Sequence, residues 1–163
     1  MVFWSDHGEM AGDHGSLYKS VFYESSLRVP LIVRWPGKIP AGQTCSALAE
    51  TIDVYPTLLE IAGVEPAKRC QGQSFWSCLW DSKAPHRDAV FSEITRAGHY
   101  TTMVRTERYK YAVEETGEGY LLFDVEEDPT EQRNLVGHPD YAHVEREMRE
   151  RLFAFQTGTQ IQI

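Results

Sequence analysis

Residues 1–19 read MVFWSDHGEMAGDHGSLYK, an apolar run followed by a loop rich in glycine and ionisable side chains. The run predicts a short buried strand that ends just before Asp6 and His7. Ligands commonly bind beyond the carboxyl ends of strands in open α/β sheets, and a carboxylate beside an imidazole suits a divalent metal. Lys19 follows the glycine-rich loop, which can fold its ammonium group back toward an anionic oxygen near such a metal.

The hydrophobic pattern predicts the remaining elements. A second apolar strand spans residues 29–35, and unbroken apolar strands are typical of a parallel sheet covered on both faces. A helix is predicted over residues 51–62, with Thr51 or Asp53 as its cap and Gly63 as its end. Further along the chain, the pattern predicts a meander of four short strands at residues 89–93, 101–106, 109–113 and 119–124. An amphipathic helix over residues 141–155 and a tail over residues 157–163 follow.

These elements predict an α/β fold of two parts. Residues 1–88 supply parallel strands and a helix, and residues 89–163 supply a small antiparallel sheet packed with a C-terminal helix. Val144, Met148, Leu152 and Phe155 share the apolar face of that last helix. A chain of 163 residues that is 42% hydrophobic is large enough to bury a core of its own.

Composition excludes several classes of function. The formal net charge of −8 argues against binding to nucleic acid or to an anionic membrane, and the apolar runs are too short to span a bilayer. Cys45, Cys70 and Cys78 form no CxxC or zinc pattern, and their odd number excludes a complete disulfide framework. Three unpaired thiols are expected, with a single Cys70–Cys78 disulfide as the alternative.

An ordered set of motifs resembles the C-terminal half of a sulfatase. The set covers the chain up to about residue 135. It consists of Ser5-Asp6-His7-Gly8-Glu9-Met10, Gly12-Asp13-His14-Gly15, Lys19, Phe22-Tyr23-Glu24, the segments 28–37 and 53–59, Leu122-Phe123-Asp124, Asp128-Pro129 and the segment 131–135. The resemblance implies the alkaline-phosphatase-like α/β fold with a small C-terminal antiparallel sheet. It also implies hydrolysis of sulfate esters at a divalent cation.

The resemblance assigns site residues as well. The positions of Asp6 and His7 are metal ligands in the family, and the position of Lys19 contacts the sulfate group. The position of His14 lies near the substrate, which is a sulfated small molecule or glycan. Calcium is the usual cation, but it prefers oxygen ligands, so the nitrogen of His7 leaves manganese and magnesium open.

The nucleophile of the family is a formylglycine made from the first residue of a C/S-x-P-x-R motif, and none of the three cysteines stands in that motif. The sequence therefore predicts a truncated chain that carries part of an active site and is inactive alone. Two alternatives stay open, a segment of a phosphonate or phosphate ester hydrolase of the same superfamily and a non-catalytic fragment. An exposed strand edge further predicts a homo-oligomer.

Overall fold

The computed structural model describes residues 1–159, which form six strands and three α-helices. The strands are β1 (Val2–Trp4), β2 (Leu31–Val33), β3 (Ala89–Arg96), β4 (His99–Thr106), β5 (Tyr109–Val113) and β6 (Gly119–Asp124). The helices are α1 (Glu24–Leu27), α2 (Val54–Ala62) and α3 (Ala142–Thr159), with short 3₁₀ turns at Asp13–Gly15, Thr51–Asp53, Trp76–Leu79 and Pro139–Tyr141.

The chain divides into two compact units. The first contains Met1–Asp6 and Val29–Val90, and the second contains His7–Arg28 together with the chain from Phe91 onward. The sequence predicts one part at residues 1–88 and another at residues 89–163. Residues 7–28, by contrast, pack with the second unit, although they lie between two strands of the first.

In the first unit, β1 and β2 pair antiparallel, with Val2 opposite Val33 and Trp4 opposite Leu31. The prediction that these strands run parallel is wrong for this pair. An unbroken apolar strand indicates apolar surroundings on both faces, but it does not encode strand direction. The path of the connecting chain sets that direction, and here the connection is the excursion of residues 7–28 into the second unit.

The predicted helix over residues 51–62 is confirmed as a 3₁₀ turn leading into α2, and buried Asp53 holds its start. The Asp53 carboxylate accepts hydrogen bonds from the backbone N–H groups of Glu50 (2.9 Å) and Gln73 (2.7 Å). It also accepts from Arg87 Nε at 2.8 Å and lies 3.1 Å from His86 Nε2. One carboxylate therefore ties the start of the helix to two later segments of the unit.

The three cysteines lie in the first unit and are all unpaired, as predicted. Burial raises the pKa of the Cys78 thiol, and the neighbouring Cys45 side chain raises it further. Both effects favour the neutral thiol, which packs as a small apolar group.

The second unit is built on the predicted meander, which is confirmed with strand order β3-β4-β5-β6. Residue pairs such as Thr102–Val113 and Tyr109–Asp124 fix the antiparallel register of its last three strands. β3 and β4 are longer than predicted, because the turn between them takes only two residues.

Helix α3 packs against β4 and β5 through the predicted apolar face, on which Val144, Met148 and Leu152 are buried. The predicted tail is wrong for residues 157–159, which continue the helix, and its last four positions lie outside the described residues. Among residues 1–159, no helix combines the length and the apolar character needed to cross a bilayer.

We predict that Asp53→Asn lowers the free energy of unfolding by roughly 2–4 kcal/mol at pH 7, because it removes a buried charge from Arg87 and from the N–H groups that donate to it. Burial by itself would raise the pKa of Asp53, but hydrogen bonds from Arg87 and from two backbone N–H groups lower it below its ordinary value. A lowered carboxyl pKa contributes stability above the unfolded-state pKa, and this contribution is lost as pH falls through the folded value.

The difference between Asp53→Asn and the parent chain should therefore shrink as urea unfolding is repeated at pH values from 6 down to 3. The exposed change Glu65→Gln is the control and should leave the pH dependence unaltered. A difference that stays constant with pH would contradict the role given to the Asp53 charge.

Candidate functional site

The loop that begins at His7 is fastened to helix α1 by its backbone. Gly8 N–H donates to the Ser26 carbonyl at 2.8 Å, and Glu9 N–H donates to the Ser25 carbonyl at 3.0 Å. A Cβ atom at Gly8 would lie 2.1 Å from the Ser25 carbonyl oxygen. Glycine is therefore required here because the two backbones approach too closely for any side chain.

The same loop closes on itself and returns the chain to its start. Met10 is buried, and its N–H donates to the Tyr18 carbonyl at 3.3 Å. This bond brings the backbone just before Lys19 next to Met10. The Lys19 side chain is exposed and has no hydrogen-bond or ion-pair partner among residues 1–159.

Three residues of this loop other than glycine adopt left-handed backbone conformations, namely Ala11 (φ 50°), His14 (φ 50°) and Ser20 (φ 75°). Such conformations are uncommon outside glycine, and they cluster at functional sites where the surrounding structure enforces them. The strained positions include His14, which the resemblance places near the substrate, and Ser20, which follows the sulfate-contacting position Lys19.

His14 is held by ring stacking. Its imidazole lies on the Tyr23 ring with a centroid separation of 3.8 Å and an angle of 14° between the planes. The neighbouring Asp13 carboxylate accepts a hydrogen bond from the Ser25 hydroxyl. Both contacts fix the loop against the start of α1, so that His14 has a defined position in the second unit.

Asp6 is the last residue of a segment of the first unit, and the next residue, His7, begins a segment of the second. The Ser5 hydroxyl donates to Asp6 Oδ1 at 3.4 Å, and His7 Nδ1 lies 2.7 Å from the Gly8 carbonyl oxygen. Because a carbonyl oxygen can only accept, Nδ1 is the donor in this contact. Metal-binding histidines commonly have this arrangement, so the residue fits a ligand role.

The residues assigned to the metal do not form a complete site. Within the part of the chain that the structure describes, no three His, Cys, Asp or Glu side chains are grouped so as to hold a metal ion. A cation bound by Asp6 and His7 would need at least two further ligands.

A buried network of ion pairs holds helix α1, to which the loop is hydrogen-bonded. The sequence analysis did not predict this network. Lys110 is fully buried on β5, with its Nζ 2.7 Å from Glu24 Oε1 and 2.5 Å from Glu131 Oε1. Glu131 Oε2 also accepts the backbone N–H of Glu24 at 2.7 Å, and Arg105 Nε lies 3.2 Å from Glu24 Oε1. The network thus joins the first residue of α1 to the sheet and to the chain that follows it.

The cations of this network stabilise the ionised form of Glu24. Burial by itself would raise the pKa of Glu24, but the Lys110 and Arg105 cations lower it below its ordinary value. Glu24 therefore stays ionised and holds α1, against which the loop carrying His14 and Lys19 is fastened. The sequence signal for the network is a lysine at the second position of an otherwise apolar strand, where an unpaired charge would be costly.

We predict that Lys110→Met lowers the free energy of unfolding by about 3–5 kcal/mol, because it leaves the buried Glu131 carboxylate without its cation. The double change Lys110→Met with Glu131→Gln should recover part of this loss, because it removes the stranded charge. Urea unfolding measures both effects. The amides of Gly8 and Glu9 should also exchange faster in Lys110→Met as the fastening of the loop weakens.

The control for this prediction is Glu147→Gln, which breaks an exposed pair with Arg151 and should cost less than about 0.5 kcal/mol. If Lys110→Met were as stable as the parent chain, or the double change less stable than the single one, the network would not have the role given to it.

Comparison with known proteins places this geometry in a family. The family model described as N-sulphoglucosamine sulphohydrolase, C-terminal, matches residues 12–158. Arylsulfatase K of Xenopus laevis is 35% identical over 149 residues, which is 84% of this chain and 28% of that protein. This chain therefore spans less than a third of that relative.

Solved structures agree with the sequence match. One, determined in complex with its substrate D-glucosamine-2-N,6-O-disulfate, is 30% identical with a TM-score of 0.87 over 96% of this chain and 33% of that one. The phosphonate monoester hydrolase of Agrobacterium radiobacter is 29% identical with a TM-score of 0.84 over 98% of this chain and 35% of that one.

These matches confirm the alkaline-phosphatase-like α/β fold expected from the motifs. They also agree with the antiparallel sheet and terminal helix of the second unit. The matching family model is that of a C-terminal domain, as its description states. The chain therefore belongs to the sulfatase family, within the N-sulphoglucosamine sulphohydrolase C-terminal group.

Proposed function

We propose that this chain contributes the C-terminal part of the active site of a metal-dependent hydrolase of sulfate esters, and that it is inactive alone. The family match over residues 12–158 carries the proposal. The ordered loop, in which the backbone just before Lys19 lies next to Met10, supports it. The sulfated glucosamine bound by one similar structure favours a sulfated sugar as the substrate.

In this proposal Asp6 and His7 hold a divalent cation, with calcium favoured and manganese or magnesium as alternatives. A bound cation would neutralise a sulfate oxygen and the charge that develops in the transition state. Asp6 would offer hard anionic oxygen to the cation, and the imidazole of His7 would offer a ring nitrogen. The further ligands and the formylglycine nucleophile would come from outside residues 1–159.

The two other residues act on the substrate. Lys19 places a compact positive charge against a sulfate oxygen, and its lack of a partner among the described residues favours this role. His14, fixed by its stack on Tyr23, would lie at the edge of the same site and orient the leaving group by hydrogen bonding.

We predict that manganese added to the chain broadens the NMR signals of residues 5–8 with weak affinity, because only two ligands are present. Asp6→Asn should abolish the broadening, while Asp81→Asn, an exposed change in the same unit, should leave it unaltered. With manganese present, inorganic sulfate should shift the Lys19 signals, and Lys19→Gln should remove that response. Broadening centred elsewhere, or unchanged in Asp6→Asn, would contradict the metal assignment.

Hydrolysis of phosphonate or phosphate esters is the second candidate function, and the similarity to a phosphonate monoester hydrolase favours it. The two functions are distinguished by measuring turnover of an aryl sulfate and of an aryl phosphonate. The assay uses a protein in which this chain is joined to a segment that bears formylglycine. We expect faster turnover of the sulfate, with kcat/KM reduced by about 100-fold or more in Lys19→Gln. Cleavage of the phosphonate alone would favour the second function.

Self-association of the chain is also proposed. Phe3 and Ile32 face each other across the β1–β2 pair, and they are 55% and 53% exposed. Exposed apolar side chains on a two-stranded sheet favour association with another apolar surface.

A further inference from the structure

Two cysteines that are far apart in the chain lie side by side in the first unit. The thiol groups of Cys45 and Cys78 share a hydrogen bond, and both side chains are half-buried. A half-buried thiol can be reached by a small reagent, and two thiols in contact need little movement to bond to each other. A disulfide requires sulfurs at about 2.0 Å from two cysteines whose side chains already point together.

Cys78 is held in place by a 3₁₀ turn that is fastened to helix α2. The turn spans Trp76–Leu79, and the Cys78 N–H donates to the Phe75 carbonyl at 3.0 Å. Phe75 is buried, and its own N–H donates to the Thr57 hydroxyl of α2 at 3.0 Å. The Cys78 thiol also donates to the Ala84 carbonyl at 3.7 Å. The position of this sulfur is therefore fixed by the fold around it.

Cys45 is held through the segment that follows it. Leu48 forms an isolated antiparallel bridge with Arg87, and the Arg87 guanidinium lies 3.3 Å from the Glu50 carboxylate. Arg87 also donates to Asp53 at the start of α2. Both cysteine segments are thus connected to α2 by contacts that do not involve the sulfur atoms, so the two thiols are brought together by the fold of the unit.

Cys70 is differently placed. Its thiol donates to the Gly72 carbonyl at 3.7 Å, a bond within its own loop. The thiol that contacts Cys78 is that of Cys45, whereas the sequence by itself offers Cys70 as the alternative partner. The folded chain therefore favours a pairing that cysteine spacing does not indicate.

We propose that Cys45 and Cys78 are a site of oxidation, at which a low-molecular-weight disulfide such as oxidised glutathione converts the two thiols to an intramolecular disulfide. First, one cysteine thiolate attacks a sulfur of oxidised glutathione, which forms a protein–glutathione disulfide and releases one glutathione thiolate. The other cysteine thiolate then attacks the protein sulfur of this mixed disulfide and releases the second glutathione thiolate. The protein is oxidised by two electrons, and its two thiol protons end on the two reduced glutathione molecules.

The new bond would close a loop that contains all of α2 (Val54–Ala62). Closing such a loop removes conformations from the unfolded chain, so the oxidised chain should be more stable than the reduced one. The site is separate from Asp6, His7, His14 and Lys19, and the proposal does not depend on the proposed function.

The test is to equilibrate the chain with oxidised and reduced glutathione at several ratios, with EDTA present, and to map its disulfides by mass spectrometry without reduction. We expect the loss of two of the three free thiols and a peptide pair joined through Cys45 and Cys78. Trypsin leaves Cys70 and Cys78 together in peptide 70–83, so a chymotryptic cut after Phe75 is needed to separate them.

Variants and a stability measurement complete the test. Cys45→Ser and Cys78→Ser should each abolish the cross-link, and Cys70→Ser is the matched control that should retain it. The midpoint of urea unfolding should rise on oxidation of the parent chain and of Cys70→Ser, and it should not rise for Cys45→Ser. Oxidation of the chain in urea should instead favour the Cys70–Cys78 pairing, because an unfolded chain closes short loops more easily than long ones.

Several results would overturn the proposal. These are a Cys70–Cys78 disulfide in the folded chain, glutathione that stays on a single cysteine, a disulfide between two chains, and three thiols that remain free at the most oxidising ratio. Formation of the Cys45–Cys78 bond with no rise in the urea midpoint would overturn the stabilising role assigned to it.

Discussion

The second unit depends on one buried cation, Lys110, which lies between the carboxylates of Glu24 and Glu131. Removing an ammonium group from water costs several kcal/mol unless close counter-charges compensate it, as they do here. The geometry permits few alternatives, because Lys110 is fixed on a sheet strand and Glu24 begins α1. The position of the helix therefore determines where the loop before it can lie.

The loop from His7 to Ser20 is short and irregular, but its contacts give it a defined conformation. Gly8 allows the backbone to approach α1 within hydrogen-bond distance, and Met10 buries the turn. The left-handed conformations of His14 and Ser20 are unfavourable by themselves, so the packing around them must hold them in place. An ordered loop of this kind presents His14 and Lys19 without the entropic cost of fixing a flexible chain when a ligand binds.

Electrostatics in this protein is local. The net charge of −8 gives no general attraction for a sulfated sugar. Lys19 and Arg96 are nevertheless without partners among residues 1–159, whereas the buried Lys110 and the half-buried Arg87 are matched by carboxylates. The cations that stabilise the fold are therefore distinct from these two exposed ones.

The sequence by itself determined the family, the helix at 51–62, the meander and the apolar face of α3, because hydrophobic period and turn residues are local properties. Only the tertiary structure decided the antiparallel pairing of β1 with β2 and the packing of residues 7–28 with the second unit. It alone also brought together Glu24, Lys110 and Glu131. These features join residues that are distant in the chain. The hydrophobic periodicity and the turn residues describe only neighbouring positions, so they do not identify such partners.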